Sequence, residues 1–85
     1  MTNYDDIYLK KDNHIIQLRI IFGYSGDTKA VESEYNGRIF TNNHDVDDFS
    51  SRYHELKDAG YEEVQMYTSF SWDVYGNKIR YCEFE

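Results

Sequence analysis

The pattern of apolar and polar positions is most regular between Ile16 and Phe22. Within this stretch apolar residues recur at every second position, at Ile16, Leu18, Ile20 and Phe22. A period of two places alternate side chains on one face of a strand. We therefore expect the central strand of a sheet here. A shorter alternation predicts an edge strand over Asp6 to Lys10, which pairs with the central strand through a turn at Lys11-Asp12-Asn13.

A second hairpin is predicted after the turn-forming sequence Ser25-Gly26-Asp27. Its first strand alternates around two acids, in the order Val31, Glu32, Ser33, Glu34 and Tyr35. Asn36-Gly37 then favours a type I′ turn, because both central residues of that turn need a positive φ angle. We expect a return strand over Arg38 to Thr41. This pairing is expected to place Glu32 and Glu34 on the more exposed face.

The middle of the chain predicts one amphipathic helix, over about residues 45–59. Asn43 or Asp45 can cap its start, and Gly60 stands where a left-handed residue commonly ends a helix. The helical period predicts an inner stripe of Val46, Phe49, Tyr53 and Leu56. The outward face carries Asp47, Ser51, Glu55 and Asp58, with Asp48 and His54 at its margins. Arg52 lies four residues after Asp48 and is expected to neutralise it.

The last third predicts another hairpin, with a two-residue turn at Gly76-Asn77. That turn opposes Asp73 to Arg80 and Trp72 to Tyr81. One face of this hairpin is then apolar and is expected to lie under the helix. A slip of one residue would exchange the two faces.

These elements predict a single α+β domain over residues 1–85. We expect an antiparallel sheet of about four to six strands with one helix on one face, in the order ββ(ββ)αββ. The chain has no proline, and no linker or repeat divides it. It begins with acidic residues, and its longest apolar run is far shorter than a membrane span. A lone cysteine, Cys82, fits a reducing compartment, so a cytoplasmic protein is expected.

The acidic residues are concentrated in one part of the chain. The net charge is −7, and the window from Val31 to Glu63 holds nine acids against Arg38, Arg52 and Lys57. Such a field repels nucleic acids and anionic membranes and attracts basic protein surfaces. The best basic patch, Lys10-Lys11 with Arg19, is small. We therefore expect neither direct nucleic-acid binding nor membrane binding.

Candidate catalytic and metal sites are weakly marked. Cys82 has none of His14, His44 or His54 at a spacing that places it beside the thiol. The acidic run from His44 to Asp48 lacks the calcium-loop pattern, and helix capping explains it equally well. We predict no catalytic residue, no metal and no cofactor.

The remaining interpretation is a non-enzymatic binding protein that occupies the basic nucleic-acid site of a partner, for example a nuclease effector. Its predicted partner-binding residues are Glu32, Glu34, Asp47, Asp48, Glu55, Asp58, Glu62 and Glu63. In size and charge the chain resembles the small acidic inhibitors encoded by bacteriophages, which include anti-CRISPR proteins and DNA mimics. Two alternatives stay open: a structural or homodimeric module that uses a sheet edge or a tyrosine-rich sheet face, and a small enzyme that uses Cys82 or a histidine.

Overall fold

Seven strands and one helix are found in the computed structural model, which describes residues 3–23, 28–37 and 39–85. In chain order they are β1 Asn3–Lys11, β2 His14–Phe22, β3 Thr28–Tyr35, β4 Phe40–Val46, α1 Phe49–Asp58, β5 Glu62–Val64, β6 Met66–Trp72 and β7 Lys78–Phe84. The first five strands form one antiparallel sheet in the order β4-β3-β2-β1-β5, and β6 and β7 form a separate hairpin. The α+β class is confirmed. The number of strands is larger than expected.

The predicted central strand is correct, because β2 lies in the middle of the five-stranded sheet. It pairs with β1 across a tight turn in which Asp12 has a φ of 54°. β1 is longer than expected and is not an edge strand, since β5 pairs with its other side. The predicted turn at Ser25-Gly26-Asp27 lies outside the described residues.

The hydrophobic core lies between the helix and one face of this sheet. Ile7 opposes Leu18 and Leu9 opposes Ile16 across the β1–β2 pair, so all four side chains share that face. The buried core consists of Leu9, Ile16, Leu18 and Leu56, with Ile7, Phe49, Tyr53 and Tyr61 packed around it. Burial of each such aliphatic side chain stabilises the fold by about 1.5–3 kcal/mol. The helical stripe Phe49, Tyr53 and Leu56 was correctly predicted to face inward.

The helix starts later than the sequence predicted. Asp48 is its N-cap, and the Asp48 carboxylate accepts a hydrogen bond of 3.2 Å from the backbone N–H of Ser51. Asn43, Asp45 and Val46 belong instead to β4, where Val46 pairs with Ala30. Pairing with β3 satisfies the backbone of this segment and outweighs its potential to cap a helix.

The helix ends where the sequence predicted. Gly60 has a φ of 102°, a conformation that glycine adopts at little cost. Its N–H donates to the carbonyl of Lys57, and the N–H of Tyr61 donates to the carbonyl of Leu56. These two bonds form a Schellman motif. The ammonium of Lys11 adds a hydrogen bond of 2.7 Å to the carbonyl of Ala59 and so holds the helix end against β1.

The turn between β3 and β4 is longer than the predicted type I′ turn. Tyr35 pairs with Phe40, which leaves four residues in the connection. The side chain of Asn36 accepts a hydrogen bond of 3.0 Å from the N–H of Ile39, and this bond closes the loop. The predicted strand over Arg38 to Thr41 was therefore wrong at its start, because β4 begins at Phe40. Arg38 itself lies outside the described residues.

The register of β6 and β7 differs from the predicted one. Phe70 opposes Arg80 and Trp72 opposes Lys78. The prediction failed because the connection is a five-residue loop and not a two-residue turn. The carboxylate of Asp73 accepts hydrogen bonds of 2.9 Å from the N–H groups of both Tyr75 and Asn77, which stabilises the longer loop.

We call the hairpin Met66–Phe84 the arm and the remaining elements the body. The helix packs on the five-stranded sheet and not on the arm, contrary to expectation. The radius of gyration is 14.9 Å, and the longest dimension is 46 Å against a thickness of 20 Å. A compact chain of this length has a radius of gyration of about 12 Å. The arm therefore makes the molecule elongated.

Candidate functional site

The acidic helix surface, which we define as Asp47, Asp48, Glu55 and Asp58, lies along the solvent side of the helix and at its start. All four residues are exposed. Asp48, Glu55 and Asp58 are spaced by seven and three residues, so they fall on one stripe of the helix. Asp47 precedes the cap and is not helical. The structure thus brings together half of the acids that the sequence predicted as partner-binding residues.

Glu32 does not belong to this surface, and its predicted exposure was wrong. It is only 5% exposed, because it lies on the sheet face that the helix covers. The guanidinium of Arg52 binds both of its carboxylate oxygens, through Nε to Oε1 and through Nη2 to Oε2, the latter at 3.1 Å. Arg52 was expected to neutralise Asp48, and it pairs with Glu32 instead. Hydrogen bonding to Glu32 is also the main cause of a raised Arg52 pKa.

Glu34 also lies outside the acidic helix surface. It is half-buried, and its carboxylate lies 2.9 Å from Nε2 of His14. The other ring nitrogen of His14 contacts the hydroxyl of Tyr61. This chain of contacts ties β3, the start of β2 and the end of the helix together. This structural role explains Glu34 without any binding to another protein.

Glu62 and Glu63 are exposed on β5, at the far edge of the sheet from β4. Lys10 opposes Glu62 across the β1–β5 pair and partly offsets its charge. Glu63 accepts a hydrogen bond of 3.1 Å from the hydroxyl of Tyr53, and this bond raises the pKa of Tyr53. Both acids therefore lie on another element than the acidic helix surface, each beside a group from a neighbouring element.

The Arg52–Glu32 pair keeps the acidic helix surface negative. Every acid between Asp45 and Glu63 is exposed. The helix has two bases, and Arg52 is directed at a buried carboxylate although it also reaches Glu55 at 3.0 Å. Lys57 is the other. Because the guanidinium of Arg52 divides its contacts between Glu32 and Glu55, it offers none to Asp47, Asp48 or Asp58 among the described residues, and the surface keeps a negative charge.

Within the described residues, the histidines named as candidate catalytic groups make other contacts, and Nε2 of His44 lies 3.4 Å from Oε2 of Glu32. Cys82 is half-buried on β7. His14 contacts Glu34 and Tyr61, and His54 lies against the ring of Tyr53 at 5.4 Å, so these contacts direct neither histidine at the thiol. Among residues 3–23, 28–37 and 39–85, no three His, Cys, Asp or Glu side chains lie close enough to hold a metal ion. No helix in the described part of the chain has the length and apolar character of a membrane span.

The second face of the five-stranded sheet carries an ion pair that the charge analysis missed. Arg19 donates two hydrogen bonds to Asp6, of 2.7 and 3.0 Å, and stacks over the ring of Tyr4 at 4.1 Å. Asp6 and Arg19 oppose each other across β1 and β2, so the predicted hairpin register could have revealed the pair. Arg19 is thereby neutralised. The small basic patch proposed around Lys10-Lys11 is correspondingly weaker.

Large apolar side chains are exposed along the arm. The highest exposures are at its tip, where Trp72 is 64%, Val74 93% and Tyr75 86% exposed. Phe70, Tyr67, Ile79 and Tyr81 are 48%, 48%, 46% and 39% exposed. These side chains lie on both faces of the arm, and exposed apolar residues grouped on one element are typical of interaction sites. The sequence predicted that Phe70, Trp72, Val74, Ile79 and Tyr81 lie under the helix, which the structure contradicts, and it placed Tyr67 on the other face of the hairpin.

Comparison with known proteins gives no relative: no family model matches the chain, and no curated protein or solved structure is significantly similar to it.

Proposed function

We propose that this protein is a non-enzymatic inhibitor that binds the basic, nucleic-acid-binding site of another protein through its acidic helix surface. The supporting observation is the placement of Arg52. Its guanidinium binds the buried Glu32 and, at 3.0 Å, Glu55, and it contacts none of the exposed Asp47, Asp48 and Asp58. Such a surface attracts a basic cleft and repels nucleic acids.

The geometry of the surface suits this role. The stripe from Asp48 to Asp58 extends over about 15 Å at 1.5 Å per residue. One strand of a nucleic acid places its phosphates about 3.4 Å apart along the helix axis, so the stripe covers the length of roughly four phosphates. Because the carboxylates stand on a regular helix, their spacing is fixed before binding, which lowers the entropic cost of association.

The partner can be identified by capture and salt elution. The immobilised chain is exposed to a lysate of its native host, and bound proteins are eluted with a rising salt gradient. We expect the partner to elute early, since interactions between exposed charges are screened within about 8 Å at physiological ionic strength. The eluted protein should bind nucleic acid on its own and release it when the chain is added.

The triple variant Asp47→Asn, Glu55→Gln, Asp58→Asn tests the surface and keeps the cap at Asp48. We expect it to weaken partner binding roughly tenfold or more, which corresponds to about 1.4 kcal/mol. The matched control is Asp5→Asn, Asp12→Asn, Glu85→Gln, which removes three exposed charges elsewhere. The proposal is wrong if the two variants bind equally well, or if the captured protein has no affinity for nucleic acid.

A further inference from the structure

The arm is anchored at its base and uncovered along its length. At the base, the ring of Phe84 contacts those of Tyr8, Tyr35 and Phe40, at centroid distances of 5.9, 5.0 and 6.3 Å. Beyond this cluster, the two strands pair with each other only, within the described residues. A two-stranded hairpin is marginally stable in water without further packing. The arm therefore needs a covering surface.

The two faces of the arm differ. Met66, Thr68, Phe70 and Trp72 share a face with Phe84, and this face turns towards the body at the base. The opposite face, which we call the outer face, consists of Tyr67, Ser69, Ser71, Ile79, Tyr81 and Glu83. On it a small residue opposes a large one twice, as Ser69 opposes Tyr81 and Ser71 opposes Ile79. The alternation leaves room for large side chains of a facing sheet to fit beside its own.

The net charge of the arm indicates which kind of surface can cover its outer face. The arm is neutral, because Lys78 and Arg80 balance Asp73 and Glu83, so the whole net charge of −7 lies outside it. Two bodies of this chain repel each other, whereas two arms do not. A self-complementary face on a neutral projection is suited to a symmetric contact between identical chains.

We propose that the outer face of the arm packs against the same face of a second copy, and that the protein is a homodimer joined arm to arm about a two-fold axis. A two-stranded face of this length offers roughly half of the 800 Å² per partner of a standard interface. We therefore expect a weak dimer that forms only at high protein concentration. This inference does not depend on the acidic helix surface.

Sedimentation equilibrium over a range of protein concentrations tests the proposal. The wild-type chain should pass from monomer to dimer as its concentration rises from about 1 to about 500 µM. Ile79→Glu places two like charges near the two-fold axis and should raise the dissociation constant at least tenfold. The matched control, Trp72→Glu, adds the same charge on the opposite face of the arm and should leave the dimer intact.

Far-UV circular dichroism establishes that both variants are folded before they are compared. A wild-type chain that stays monomeric at the highest concentration overturns the proposal, and so does a dimer that is unaffected by Ile79→Glu or weakened equally by both variants. The acid triple variant should dimerise at least as well as the wild type. Failure of the arm contact and failure of the acidic helix surface are thus separate results.

Discussion

The sheet of the body and the arm are built from similar alternating strands and differ in what covers them. In the body, Leu9 and Leu18 are fully buried, because neighbouring strands flank them and the helix lies above. In the arm, Phe70 and Ile79 have comparable side chains and remain nearly half exposed. Alternation therefore identifies a strand with an apolar face, but it does not say which surface covers that face.

The sharpest test of this comparison is the removal of one aliphatic side chain from each region. Leu18→Ala leaves a cavity in a closed core and should lower the free energy of unfolding by about 2–5 kcal/mol. Ile79→Ala, measured at a concentration where the chain is monomeric, should change it by less than about 0.5 kcal/mol. Urea unfolding followed by far-UV circular dichroism gives both values. Equal losses would mean that the arm is part of the core.

Replacing a base that pairs with a buried carboxylate should cost more stability than replacing an exposed base. Arg52→Met keeps the packing of the side-chain stem and removes the guanidinium from the buried carboxylate of Glu32, which then keeps only the contact of 3.4 Å with Nε2 of the exposed His44. We expect a loss of about 2–3 kcal/mol, less than for a fully buried pair, because Arg52 is partly exposed.

The control for this experiment is Arg80→Met in the arm, which should have little effect. Adding Glu32→Gln to Arg52→Met removes the buried charge that has lost its guanidinium, so the double variant should recover part of the lost stability. Additive losses in the double variant would show that the two side chains do not interact.

The smallest expected effect is on the stability of the protein at low pH. The pKa of Asp48 in the body is lowered mainly by the backbone hydrogen bond from Ser51, and that of Asp73 in the arm mainly by the backbone hydrogen bond from Asn77. Folding thus favours the charged form of each group. Their contribution to stability is complete above the unfolded pKa of about 3.9 and is lost as the pH falls through the lower folded value.

Asparagine caps helices about as well as aspartate and does not titrate. Asp48→Asn should therefore leave the Tm near pH 7 almost unchanged and reduce its fall between about pH 5 and pH 3. Asp58→Asn removes the same charge without altering the cap and should preserve the acid-induced fall. Thermal unfolding across this pH range distinguishes the two. An identical acid response in both variants would contradict the role of the cap.

Local chemistry allowed several parts of the fold to be predicted. The β1–β2 hairpin follows from alternation on both sides of Asp12-Asn13, and the helix end follows from Gly60. The helix start could not be predicted in the same way. Asn43 and Asp45 are good caps, but a ladder with β3 competes for the same backbone, and sequence propensity gives no measure of that competition.

The error at Glu32 has a non-local cause, whereas the error in the register of the arm has a local one. Glu32 was placed on an exposed face because its partner, Arg52, lies on another element that crosses above it. The register of the arm was missed because Asp73 accepts bonds from two backbone N–H groups of its own loop, which favours five residues over two. The acids at Asp47, Asp48, Glu55 and Asp58 were predicted correctly as exposed, and for Glu55 and Asp58 the helical period alone determines their side of the helix.

The position of Trp72 has a practical consequence for spectroscopy. It is the sole tryptophan of the chain, and it lies near the tip of the arm with 64% of its surface exposed. Indole emission therefore reports the surroundings of the arm and contains little information about the core around Leu18. Loss of tertiary structure in the body can leave the emission spectrum nearly unchanged. Unfolding curves of this protein consequently need a second optical signal from the backbone.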